Sequence, residues 1–288
     1  MNKTLLKRII KAQRREISEY LIYKKLAEAT KDARNSKILT HIARDELRHY
    51  NFWKRFTGKD QPPDWILVWR YYLISKIFGL TFGIKLMERG EGKAQENYGD
   101  LSHTIPEALE ILREEDEHED ELIRMIDEER LKYVGSIILG LNDALVELSG
   151  ALAGFTLALQ DSRLVAVVGL ITGIAAALSM GSTGYLASKS EDDGKTPLKS
   201  ALYTGISYIA TVFLLVFPYL VFSNVFLALG IMILNALVII MAFNFYISVA
   251  KGLPFWRKFA EMALLSLGVA AISFGIGYLV RVLLGLEI

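Results

Sequence analysis

Residues 113–122 read REEDEHEDEL, with seven carboxylates and one histidine in ten positions, and from residue 133 onward the chain is almost wholly apolar. Residues 1–132 carry 49 charged side chains (25 Lys and Arg, 24 Asp and Glu) and all four histidines, whereas residues 133–288 carry 16. Two solvents are implied. The first part reads as a water-soluble domain (1–132), and the second as repeated stretches of the roughly 20 apolar residues that a bilayer core demands (133–288).

Over its 288 residues the chain has net charge +1, and its 52% hydrophobic content lies above the soluble-protein norm. There is no cysteine, which removes disulfides, thiolate zinc sites and rubredoxin-type iron centres; any metal must be held by carboxylate, imidazole or thioether groups. With no long basic stripe, no nucleic-acid partner is expected. The opening MNKTLLKRIIKAQRREISEY has basic residues but no apolar run leading to a small-residue cleavage site, so a secretory signal is not expected and the soluble domain is placed in the cytoplasm.

Hydrophobic spacing predicts four helices in the soluble part. The first covers about residues 2–29, with Leu6, Ile9, Ile10, Ile17, Leu21 and Leu26 three and four apart. The second covers about 33–56 and is ended by Gly58 and Pro62-Pro63. The third follows those prolines and continues to about Tyr98. The fourth starts at Thr104, where Thr104 and Glu107 fit a capping box around Pro106. Residues 66–87 of the third imitate a membrane span, but Arg70, Lys76 and Lys85 would each cost about 2.5 kcal/mol or more at depth. They read instead as a bundle helix whose surplus apolar face meets a subunit or the membrane surface. The expected fold is all-α, a four-helix bundle followed by a five-span transmembrane domain.

Side chains three apart share a helix face, so Glu-x-x-His offers an oxygen and a nitrogen to one ion. The motif occurs as Glu46–His49 and again as Glu115–His118. The third helix adds Glu88 and Glu91, and the first adds Glu16 with Glu19 three further on as its substitute. One Glu from each of two helices plus Glu-x-x-His from the other two is the inward-facing pattern of di-iron and di-manganese carboxylate bundles. The remaining acids Glu114, Glu117, Glu119, Asp120 and Glu121 read as a solvated face or an ion-attracting rim, and His41 and His103 as surface or loop-flanking histidines. Oxygen and imidazole donors suit Fe(II) or Mn(II).

These residues resemble the rubrerythrin branch of the ferritin-like superfamily, through EISEYLIYKKLA (16–27) and ERGEGKA (88–94). The resemblance implies a bridged site for two iron ions, with Glu16, Glu46, His49, Glu88, Glu91, Glu115 and His118 as ligands. Rubrerythrins also carry a cysteine-ligated rubredoxin module that feeds electrons, and this chain has none.

In the second part five spans are readable, at about 134–159, 164–187, 198–221, 225–249 and 258–283. Lys189, Lys195 and Lys199 lie in one loop and Lys251, Arg257 and Lys258 in another, so the positive-inside rule puts both loops and the N-terminal domain in the cytoplasm. Asp143 and Glu147 lie within the first span, one turn apart on one face, where ionisable groups mark function by default. Gly140, Gly150 and Gly154 permit close helix approach, and Met180 in span two is a soft donor.

GSIILGLNDALVELSGALAGF (135–155) and ALSMGSTGYLAS (177–188) resemble the first two spans of the vacuolar iron transporter family. That resemblance implies a homodimer exporting Fe(II), with Mn(II) as alternative cargo, against protons, and assigns Asp143 and Met180 to the path. Glu147 is added from its position in the span. The family's acid before Tyr185 is Gly184 here, its acid two turns before the Met is Thr172, and its cytoplasmic insertion shrinks to SKSEDDGKTPLKS (188–200). The whole chain is similar to membrane-bound ferritins, fusions of the two families. The expectation is a transporter first, with ferroxidase activity at the di-iron site left open; the competing reading is a membrane-anchored, peroxide-scavenging enzyme without transport.

Overall fold

The computed structural model describes residues 3–87, 89, 104–124, 133–190, 194–283 and 285, and among these there is no strand. The chain divides into two compact units, Met1–Glu128 and Glu129–Ile288.

In the first unit, α1 (Lys3–Ala29) and α2 (Ala33–Thr57) form a closely packed hairpin. Asp32 begins α2 by accepting from the Asn35 backbone N–H, and Gly58 ends it with φ +67°, a left-handed conformation that costs glycine little. Helix α3 (Trp65–Phe78) is capped by Asp64, packs on α1, and stops at Gly79, where φ is +104°. The chain resumes helical form over 80–87. The expected continuous third helix is therefore broken inside its apolar run by a residue with no Cβ to resist that φ. Helix α4 (Ala108–Arg124) starts four residues after the expected Thr104. The N–H groups of Ala108, Leu109 and Glu110 bond three residues back, so a tight turn occupies the place given to the capping box. Helix α4 packs on α2.

Two apolar clusters stabilise this unit. Ile22, Leu26, Leu39, Ile42, Val68 and Leu122 belong to one, and Ile9, Ala12, Trp53, Ala108 and Ile111 to the other. Along α1, α2 and α4, buried polar residues lie between the two clusters, Glu16, Glu46, His49 and His118 among them.

Among its described residues the second unit holds five helices long and apolar enough to cross a membrane, making the chain a multi-pass membrane protein. They are α5 (Val134–Leu159), α6 (Ser162–Ser190), α7 (Pro197–Val221), α8 (Val225–Lys251) and α9 (Phe255–Leu283). Helix α7 lies against α6 and the N-terminal half of α5, and α9 runs along the C-terminal half of α5. The core gathers Leu145, Leu148 and Leu152 of α5, Tyr208, Val212 and Leu215 of α7, and Met232 and Ile240 of α8. The small residues of α5 serve contacts within the chain. A Cβ on Gly140 would fall on the Thr204 carbonyl of α7, and one on Gly277 of α9 would fall on the Gly154 carbonyl.

Candidate metal centre

Three helices of the first unit converge on one acidic and imidazole cluster. Glu16 comes from α1, Glu46 and His49 from α2, and Glu115 and His118 from α4. Ligand atoms of Glu16, Glu46, His49 and Glu115 all lie within 4.8 Å of one another. Each central carboxylate faces both imidazoles. Glu115 places Oε1 3.2 Å from His49 Nδ1 and Oε2 3.7 Å from His118 Nδ1. Glu46 places Oε2 3.9 Å from His49 Nδ1 and Oε1 3.6 Å from His118 Nδ1. Glu16 Oε2 lies 3.7 Å from His49 Nδ1, and its other oxygen accepts from the buried Trp53 indole N–H at 3.1 Å. The two rings stand 6.0 Å apart. Glu88 and Glu91 lie outside the described residues, as does His103.

The far edge of each imidazole is held by an acid that the sequence reading gave no such role. His49 Nε2 is 2.7 Å from Glu114 Oε2, which also accepts from Arg48. His118 Nε2 is 3.2 Å from Asp45 Oδ2. Glu114 is thus not merely part of a solvated rim, and the pairing is crossed. The acid just before each motif's Glu grips the histidine of the other motif. A signal was present, since both motifs read acid-Glu-x-x-His, but only the helix pairing shows which imidazole each acid reaches. This contact turns Nδ1 inward and keeps the ring oriented, as outer carboxylates do for ligating histidines. Of the other acids, Glu19 is buried and pairs with Arg15 at 2.5 Å, and Glu117 is exposed and pairs with Arg113. His41 is exposed beside Asp45 and Glu121.

Electrostatics show what the cluster lacks. Burial, followed by the charges of Glu115, Glu16 and Glu19, pushes the Glu46 carboxyl well above the usual range. Burial also opposes ionisation of Glu115, but the His118 and His49 imidazoles beside it override that and hold the carboxyl down to about 2. For His49 burial disfavours the cation, yet Glu115 and Glu16 outweigh it and lift the imidazole to about 11. His118 is raised in the same way, by Glu115 and Asp45 against burial. Protons therefore supply the positive charge that the carboxylates need. His49 Nδ1, His118 Nδ1, Glu46 Oε2 and Glu115 Oε1 are buried without a hydrogen-bond partner, and all four face the centre. Buried polar atoms left without partners are costly. Imidazole nitrogens and carboxylate oxygens gathered in this way could hold a divalent cation of intermediate hardness.

In the second unit, Asp143 ends the first α-helical part of α5, and a π-helical turn, Ala144–Leu148, follows it. Ser149 and Ser266 hydroxyls both donate to the Leu145 carbonyl within that turn, at 2.5 and 2.6 Å. Glu147 sits in the turn, four residues on from Asp143. The Tyr208 hydroxyl of α7 donates to Glu147 Oε2 at 3.4 Å. Tyr208 is fully buried and was not foreseen, because an aromatic in an apolar span reads as packing. Met180 is partly buried against the core, and Asn142 Oδ1 is buried without a hydrogen-bond partner. π-turns inside helices are frequent at functional sites.

Residues 134–195 match the model of the VIT family. The matched segment takes in α5 and α6 whole, and with them Asp143, Glu147 and Met180. The match and the five membrane-capable helices suggest membrane metal-ion transport as the second unit's activity. No curated protein matches the chain.

Proposed function

We propose that the chain is a membrane-bound ferritin of the VIT type, exporting Fe(II) from the cytoplasm in exchange for protons, with Mn(II) as alternative cargo. The first unit acts as a ferritin-like, rubrerythrin-type bundle that captures two ions and raises the local supply of cargo. The observation that carries this is the coincidence, in one chain, of a buried two-imidazole carboxylate cluster with a VIT-family match across two spans. Glu16, Glu46, His49, Glu115 and His118 would hold the ions together with Glu88 and Glu91, while Asp45 and Glu114 orient the imidazoles. Two iron ions held there would supply one-electron chemistry toward oxygen or peroxide. In the second unit Asp143 and Glu147 bind the cargo when deprotonated and release it on protonation, so ion and proton compete for the same oxygens. Met180 lines the path, and Tyr208 positions Glu147. The N-terminal unit and the basic loops are assigned to the cytoplasm by the lysine and arginine distribution, and the working form is taken as a homodimer from the likeness to iron transporters.

Reconstituted proteoliposomes test this. Wild-type protein should couple Fe(II) movement to proton movement, and Asp143→Asn should abolish both. Unchanged flux in Asp143→Asn would refute the transport assignment. Iron-dependent peroxide consumption with no ion flux would favour the membrane-anchored enzyme.

A further inference from the structure

The outward face of α3 is unusual for a domain bathed in water. Among the described residues of the first unit, eight large apolar side chains are exposed, and six of them lie on this one helix. Trp65, Ile66, Trp69 and Leu73 are 52%, 83%, 47% and 48% exposed, whereas Val68, Tyr71 and Ser75 turn inward at 7% or less. At 100° per residue, Trp65, Trp69 and Leu73 form one stripe with Ile66 beside it. Arg70 borders the stripe on the Ile66 side and Lys76 ends it one turn beyond Leu73, both exposed, and the helix carries no acid. A third cation joins them, because Lys25 Nζ of α1 lies 4.6 Å over the Trp69 ring.

We infer that this face of α3 lies in the headgroup layer of the bilayer, with Trp65, Ile66, Trp69 and Leu73 sunk toward the acyl chains and Arg70, Lys76 and Lys25 among lipid phosphates. Three features select lipid over a second copy of the chain. Tryptophan with flanking lysine and arginine is the composition of segments that rest at the membrane interface. A two-fold contact through this face would gather the cations of both copies with no acid on the helix to meet them, while a bilayer offers anionic headgroups. The bilayer is also always near, since only ten residue steps separate Arg124, the end of α4, from Val134, the start of the first span. Fully extended they reach about 35 Å. So short a tether keeps the effective concentration of lipid surface high, and a modest apolar face suffices to dock. The inference rests on the membrane spans alone and is independent of the metal chemistry.

The test uses the full chain, which has no native cysteine. Ile66→Cys, Leu73→Cys and, as a water-facing control on α2, Lys37→Cys are each labelled with an environment-sensitive fluorophore and reconstituted in vesicles containing anionic lipid. Labels at 66 and 73 should be quenched severalfold more than the label at 37 by brominated lipid, and severalfold less by acrylamide in the water. Adding Arg70→Glu with Lys76→Glu should remove much of that difference. Equal acrylamide access at all three positions would overturn the inference by showing a bare face. Shielding from acrylamide without quenching by brominated lipid would overturn it in favour of a protein partner. Metal uptake by the same labelled chains reports their folding and is expected to be unchanged.

Discussion

At the scale of single residues, the cluster in the first unit is a balance between buried carboxylates and the positive charge that offsets them. His49, lifted to about 11, is protonated across the physiological range and must give up that proton to become a ligand. Apparent affinity for Mn(II) should therefore rise with pH, about tenfold per unit for each proton released, in competition titrations between about pH 6 and 8. Stability of the metal-free protein should run the other way. His49 and Glu46 both have raised folded values, so their contributions are present at low pH and fade as pH rises through those values. Glu115 is depressed to about 2, so its contribution is present above 4.5 and lost as pH falls toward 2. Thermal melts of metal-free protein should accordingly decline above neutral pH and again under acid. Glu114→Gln removes the charge behind His49 without touching the centre, and about a 10- to 100-fold loss of metal affinity in calorimetric titration is expected.

At the scale of elements, the informative features are the places where regular helices give way. Gly79 divides the third apolar run, leaving a 14-residue α3 that at about 1.5 Å per residue is too short to span a bilayer. The π-helical turn in α5 sets Glu147 against Tyr208 and is supported by hydroxyls from Ser149 and Ser266. Close helix contact is equally local. Gly277→Ala would press a methyl group on the Gly154 backbone and should destabilise the α5–α9 contact by about 1–3 kcal/mol, read as a lower melting temperature in detergent. Gly275→Ala, two residues away with open space around it, should leave the melting temperature unchanged or slightly raised.

At the scale of the whole molecule, coupling capture to export has a kinetic signature. If the first unit concentrates cargo, His49→Ala with His118→Ala should raise the KM for Fe(II) in proteoliposome transport while leaving kcat near wild type, since the conduit itself is untouched. The sequence alone determined the helical class and the five apolar segments. It also marked the repeated Glu-x-x-His and the acid pair of span one, because charge density and 3.6-residue periodicity are local properties of the chain. It could not reveal that Asp45 serves His118 and Glu114 serves His49, that Tyr208 reaches Glu147, or that Gly150 and Gly154 meet span five of their own chain. Each of these pairs residues far apart in the chain, and their meeting depends on how whole helices pack and on a π-turn and a glycine break that periodicity does not register.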